Sequence, residues 1–332
     1  MKFDQILSDL KNKIYYPVYF LAGEESYYID AICDYIEEHV LSDMEKEFNQ
    51  TVVYGRDTDI LSIISMAKRY PMMANYQVVI VKEAQNIQKI EDLANYVENP
   101  LSSTLLVLNY KYKKVDKRKS FFKQVEKKGV LFESKKLYDN QIPAWINSYV
   151  QSKGYRISPK AVQMLAEFLG TDLSKIVNEL NKLVLNISPD KEINDSLVER
   201  NIGISKDFNI FELQNAIGNR DILKANQIIN YFAANAKENP LPKTITILNS
   251  YFSKILIYHQ LEDKSRNNAA AALSVNPFFV KDYQDAAKRY SVGKLVQIIS
   301  LLREYDLRSK GVNNISTNEG ELQKELLFKI LH

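Results

Sequence analysis

The spacing of apolar residues divides the chain into two regimes that meet near residue 139. Before that point, short runs rich in β-branched and aromatic residues recur at 17–22, 51–54, 77–82, 104–109 and 130–134. Between them, residues 27–41, 59–69, 87–98 and 117–127 carry apolar side chains three and four positions apart, the period of an amphipathic helix. Such alternation predicts a doubly wound parallel sheet with helices on both faces. The run Val78-Val79-Ile80-Val81 has no polar alternation, as expected of a central strand buried on both sides.

Beyond residue 139 the strand signal stops, and the pattern predicts only helices, over 139–153, 159–169, 172–186, 195–200, 208–217, 221–236, 241–262, 277–290, 292–309 and 319–331. Ser158-Pro159 puts a cap residue before a first-turn proline, and Thr171-Asp172 follows Gly170, so one helix closes there and another opens. The segment 203–207 reads as the boundary before a last helical domain. The expected division is an α/β domain over 1–138, a helical lid over 139–205 and a C-terminal helical domain over 206–332.

Composition narrows the chemistry. Among 332 residues there are 10 Gly and 9 Pro, roughly half of average usage, which fits a helix-rich chain. The glycines are scattered, so no G-x-x-x-x-G-K-[ST] or G-x-G-x-x-G loop can bring backbone N–H groups to a phosphate. The histidines, His39, His259 and His332, are too far apart for a local metal pair, and no G-x-S-x-G elbow occurs. Neither a metal site nor a cofactor is expected. Cys33 shares an apolar stripe with Ile29, Ile32 and Ile36, which suits a small buried residue better than a nucleophile. With one cysteine, no apolar run long enough for a membrane span and a charged start, MKFDQILSDLKNK, the expectation is a soluble protein of a reducing, cytoplasmic setting.

The net charge of +3 conceals an asymmetry. Residues 23–47 hold nine acids against Lys46, whereas residues 111–136 hold eleven Lys/Arg against three acids. The densest part, KYKKVDKRK, carries Lys111, Lys113, Lys114, Lys117, Arg118 and Lys119. It could attract nucleic-acid phosphates by counterion release, or it could be a solvated face that balances the acidic segment.

The first strand and turn, YPVYFLAGEESYYID, stand where a P-loop ATPase places its phosphate loop, but Glu24-Glu25-Ser26 replaces the Lys-Ser/Thr pair. In VVIVKEA, Lys82 stands where a magnesium-binding aspartate would be. Together with YPMMANYQVVIVKEAQ, KVDKRKSFFKQVEKKG, GTDLSKIVNELNKL and LREYDLRSKG, these stretches make the chain resemble the delta subunits of the bacterial DNA polymerase III clamp loader. The resemblance spans essentially the whole chain. It implies an AAA+-like fold: a five-stranded parallel sheet domain, a helical lid and a C-terminal collar.

It further implies a non-catalytic subunit of a DNA-directed DNA polymerase holoenzyme, a nucleotidyltransferase complex. Such a subunit binds and opens the ring-shaped sliding clamp (the beta subunit) and joins the gamma/tau and delta-prime subunits through its C-terminal domain, around primer-template DNA. The family's apolar clamp-binding pair falls on Met72 and Met73, after Pro71. Pro71 breaks the preceding helix, so at least one adaptable thioether is expected to project outward. Lys113, Lys114, Lys117, Arg118 and Lys119 are the candidates for facing DNA. Two other readings remain at this point, an ATP-binding AAA+ motor and an unrelated helical adaptor.

Overall fold

The structure is a computed structural model that describes residues 1–185, 187–188, 191–203, 207–314 and 316–332. The expected domain boundary at 203–207 falls largely outside the described residues. Two compact units are present: Met1–Asp139 with Thr171–Val177, and Asn140–Gly170 with Asn178–His332.

In the first unit, α1 (Phe3–Lys11), β1 (Val18–Gly23), α2 (Ser26–His39), α3 (Asp43–Asn49) and β2 (Gln50–Tyr54) are followed by α4 (Ile60–Ala67) and β3 (Gln77–Lys82). Then come α5 (Ala94–Glu98), β4 (Thr104–Lys111), α6 (Ser120–Lys128) and β5 (Val130–Ser134). The strands form one parallel sheet in the order β2-β3-β4-β1-β5. β1 is buried along its whole length, and so are the middles of β3 and β4, which explains the unbroken apolar runs Val78–Val81 and Leu105–Leu108.

Successive strand residues point to opposite faces. Phe20, Val79, Val81 and Leu106 therefore pack with Ile63 of α4 and Phe121, Phe122 and Val125 of α6. Tyr19, Leu21, Val78, Ile80 and Val107 face Ile29, Ile32 and Ile36 of α2 and Ile6 and Leu10 of α1. The AAA+-like architecture implied by the resemblance, a five-stranded parallel sheet domain followed by helical regions, is the one observed.

The second unit contains α7 (Ile142–Ser152), β6 (Arg156–Ile157), α8 (Pro159–Leu169), most of α9 (Leu173–Leu185), β7 (Glu192–Ile193) and α10 (Asp195–Ile202). It continues with α11 (Ile210–Asn219), α12 (Ile222–Ala234), α13 (Leu241–Gln260), α14 (Arg266–Leu273), α15 (Val280–Arg289), α16 (Val292–Ser309) and α17 (Glu319–Leu331). The longest of these, α13, buries Leu248, Tyr251, Phe252 and Ile255 at helical spacing against Leu295 and Ile298 of α16 and Leu213 and Ile217 of α11. Gly218 admits the Tyr251 hydroxyl where any Cβ would collide with it.

Four expectations are corrected here. The region after 139 is not purely helical, because β6 and β7 pair in parallel. The helix expected over 87–98 is α-helical only from Ala94 to Glu98; 3₁₀ turns precede it, and Glu83 and Lys89 adopt left-handed backbone that interrupts the helical ladder. Helices α1, α3 and α14 lie outside the segments for which the pattern predicts helix. The helix expected over 277–290 opens as a 3₁₀ turn, Pro277–Phe279, before α15.

Glu167 on α8 is half-buried beside a groove lined by Met164, Phe168, Phe208, Tyr231 and Lys243. Burial raises its carboxyl to about 8, opposed by the charges of Lys243 and Lys254. A folded-state value above the unfolded one means that the native state binds more protons, so stability falls as pH rises from the ordinary glutamate range through that value. Glu167→Gln is therefore expected to gain stability relative to wild type between pH 5 and 8. The gain should be on the order of 1–2 kcal/mol, reduced from the full linkage value because the side chain keeps some solvent contact, and denaturant unfolding at both pH values measures it.

Candidate functional site

In open α/β sheets, ligands bind beyond the carboxyl ends of the strands, where successive connections leave in opposite directions. Here that point lies between β1 and β4. The chain leaves β1 for the β2 edge and leaves β4 for β5 on the other side. The turn after β1 is the phosphate-loop position, and it is already occupied by the protein's own groups.

The Glu24 N–H donates to the Ser134 carbonyl (3.3 Å) and the Glu25 N–H to Ser134 Oγ (3.1 Å). Ser134 Oγ in turn donates to the Ala22 carbonyl (3.3 Å). Gly23, at φ 124, is the residue that permits this close approach, because a Cβ there would collide with Ser134. At the N-terminus of α2, where a helix ordinarily favours an external anion, the buried Glu25 carboxylate accepts from the Tyr27 N–H at 3.2 Å. Burial raises the Glu25 carboxyl above its ordinary value despite that bond and the nearby Lys136.

The metal position is similarly filled. Lys82, the last residue of β3, places its ammonium 2.9 Å from Glu37 of α2. Burial opposes the lysine charge, but Glu37 outweighs it and holds the ammonium above its usual value. Ligand atoms of Cys33, Asp34 and Glu37 lie within 4.8 Å of one another. Burial pushes the Cys33 thiol up to about 11, so it is protonated at neutral pH. Of the three groups, Asp34 and Glu37 are carboxylates, Glu37 is already paired with the Lys82 ammonium, and the third is a buried thiol.

The methionine pair lies between α4 and β3. Asp59 caps α4 by accepting from the Ser62 N–H (2.8 Å). At the other end, Gln77 Nε2 donates to the Met66 carbonyl (2.7 Å) and Tyr96 OH to the Ala67 carbonyl (3.3 Å), which satisfies groups a helix C-terminus leaves open. The helix therefore stops at Ala67, before Pro71, and both methionines lie beyond it. Met72 is 58% and Met73 103% exposed, so neither belongs to the core, and Tyr70 and Leu61 are exposed nearby in sequence. Met73 has φ 53, uncommon for a residue with a side chain. Met72 is tied through its backbone to Asn49, a residue whose part was invisible in the sequence because 23 positions separate the two.

The basic segment is extensively paired. Lys111 meets Asp30 (2.5 Å), Lys114 meets Glu24 (3.6 Å), Lys117 meets Glu133 (3.0 Å), Arg118 meets Asp116 (2.8 Å) and Lys119 meets Glu91 (2.6 Å). Lys113 donates to the Gln85 carbonyl (3.3 Å). Two of these acids, Glu24 and Asp30, come from the acidic stretch 23–47, so part of the charge asymmetry is neutralised within the fold. The pairs with Lys114 and Arg118 leave the cations largely solvent-exposed.

The sheet thus carries an ATPase-like layout whose phosphate-loop turn is fastened to Ser134, and the exposed methionine pair lies in the turn that enters β3, at the opposite end of that strand from Lys82. Residues 19–135 match the family described as DNA polymerase III, delta subunit, and residues 207–331 match the C-terminal domain of the same subunit. The DNA polymerase III subunit delta of Bacillus subtilis is 29% identical over 99% of this chain and 95% of its own length. A probable delta subunit of Aquifex aeolicus is 24% identical over 88% of this chain and 86% of its own. The solved structure of the Bacillus subtilis DNA clamp loader delta protein superposes with a TM-score of 0.54 at 25% identity, covering 99% of both chains. This chain belongs to the DNA polymerase III delta subunit family, a clamp-loader component of DNA replication.

Proposed function

We propose that this delta subunit binds the sliding clamp, the beta ring, through Met72 and Met73 after Pro71, and holds the ring open for loading on primed DNA. The observation that carries the reading is the outward presentation of two adjacent thioethers by a turn that the fold fixes at both ends. Soft, unbranched side chains of this kind suit an apolar pocket on a partner. No ATP is required in this reading, and the subunit performs no catalysis of its own, because Glu25, Ser134 and Lys82 occupy the positions that phosphate and metal would need. The test is capture of the cognate clamp by the isolated chain in nucleotide-free buffer. Capture is expected, and added ATP should not change it; no capture would refute the reading.

The same proposal divides the chain into the sheet domain 1–138, a lid over 139–205 and a collar over 206–332. The collar joins the gamma/tau and delta-prime subunits in the cytoplasm. Contact of Lys113, Lys114, Lys117, Arg118 and Lys119 with primer-template DNA is a further part of it. Exposed ion pairs contribute only about 0–1 kcal/mol, so phosphates can displace the carboxylates that pair with these cations. Reversing the charges of Lys113, Lys114 and Lys117 should weaken DNA-dependent loading and lower its salt sensitivity. Unaltered loading would leave the segment a solvated surface.

A further inference from the structure

Asn49, the last residue of α3, is 2% exposed and spends its side-chain amide on the backbone of a residue 23 positions away. Its Oδ1 accepts from the Met72 N–H at 2.6 Å, and its Nδ2 donates to the Met72 carbonyl at 2.9 Å. The second proton of Nδ2 goes to the Glu45 carbonyl at 3.0 Å. A primary amide thus imitates a neighbouring peptide group and satisfies both polar groups of Met72, which lies outside any helix or strand.

The anchor itself is firm. Ser42 and Glu45 form a capping box at the start of α3, with the Ser42 N–H donating to Glu45 Oε2 at 2.8 Å. Those hydrogen bonds hold the Glu45 carboxyl below its ordinary range. The residue after the anchored one, Met73, keeps left-handed backbone while its side chain is fully in solvent. Such a conformation is strained for a residue with a side chain and persists where the surroundings determine it. The Met73 side chain contributes nothing to holding it, since nothing packs against a fully exposed group. The fixed point is the Met72 peptide, and what fixes it is Asn49.

We propose that Asn49 is a positioning residue for partner binding: it locks the Met72 backbone so that the turn presents Met72 and Met73 outward in a preformed arrangement. The lock reduces the ordering cost that a free loop would incur on binding, which is the general route by which preorganisation raises affinity. The inference rests on the clamp-binding reading above. It adds that α3, remote in sequence from the pair, governs how well the pair binds.

A double-mutant cycle with the cognate clamp tests it, using full-length chains with melting temperature recorded for each. Asn49→Ala is expected to weaken clamp binding by about fivefold or more in the wild-type background and by less than about twofold where Met72 and Met73 are already alanine. Asn49→Asp, which keeps the acceptor and loses the donor, enters the same cycle if the alanine variant does not fold. It should likewise weaken binding only when the methionines are present. Hydrogen exchange at the Met72 amide should quicken in either variant. Unchanged affinity for the Asn49 variants, with the methionine double variant impaired, would overturn the positioning role and leave the clamp reading standing. Equal losses in both backgrounds would overturn it as well, since Asn49 would then act elsewhere. Full affinity in the methionine double variant would remove both.

Discussion

Met72→Ala/Met73→Ala should weaken binding to the cognate sliding clamp by more than about tenfold, equivalent to at least about 1.4–2 kcal/mol, while leaving the melting temperature nearly unchanged. The two halves of this expectation have one cause. Side chains that are 58% and 103% exposed contribute little to the folded state and are available in full to a partner. The left-handed backbone at Met73 strains alanine as it does methionine, so it does not distinguish the two, and surface substitutions away from caps and cores usually fall within about 0.5 kcal/mol. Isothermal titration and thermal unfolding of the same preparation measure both. A large fall in melting temperature would place the methionines in the fold instead, and any affinity loss would then be indirect.

Gly23→Ala is the counterpart, with a large effect on stability. Gly23 sits at φ 124, and an added Cβ would run into the Ser134 backbone and hydroxyl. The strain of an alanine in that region and the displacement of β5 from β1 act together, so a loss of about 3 kcal/mol or more is expected in denaturant unfolding. The turn belongs to the β1–α2 junction, where Ser134 also takes up the Glu24 and Glu25 N–H groups. A tolerated alanine would show that β5 can shift freely and that the closure of the phosphate position is loose.

These two predictions also mark what could be read from the sequence. The strands were legible because the middles of β1, β3 and β4 are buried on both faces and hence apolar without alternation, and β3 and β5 begin and end where the pattern places them. The displaced chemistry at Glu25 and Lys82 was legible as a departure from the residue types that phosphate and magnesium require. How the site is closed was not, because Ser134 lies more than a hundred residues from the turn it fastens and carries no local signal. Helix α1 gives a weak signal, since its stripe of Phe3, Ile6, Leu7 and Leu10 spans only nine residues among charged neighbours. In α3 the capping box Ser42–Glu45 was the available clue. The outward position of the methionines was only partly legible. Pro71 signalled a broken helix, but the end of α4 at Ala67 depends on Gln77 and Tyr96 reaching its last carbonyls. The pairing of the basic segment depends on tertiary contact, so its high formal charge overstated the free charge on that surface.

The most direct measurement of the central claim is the nucleotide-free affinity of the isolated chain for its cognate clamp, titrated side by side for the wild type and for Met72→Ala/Met73→Ala. The account predicts a saturable complex for the wild type, unchanged by ATP, and a loss exceeding about tenfold for the variant. Equal affinities for the two chains would contradict it.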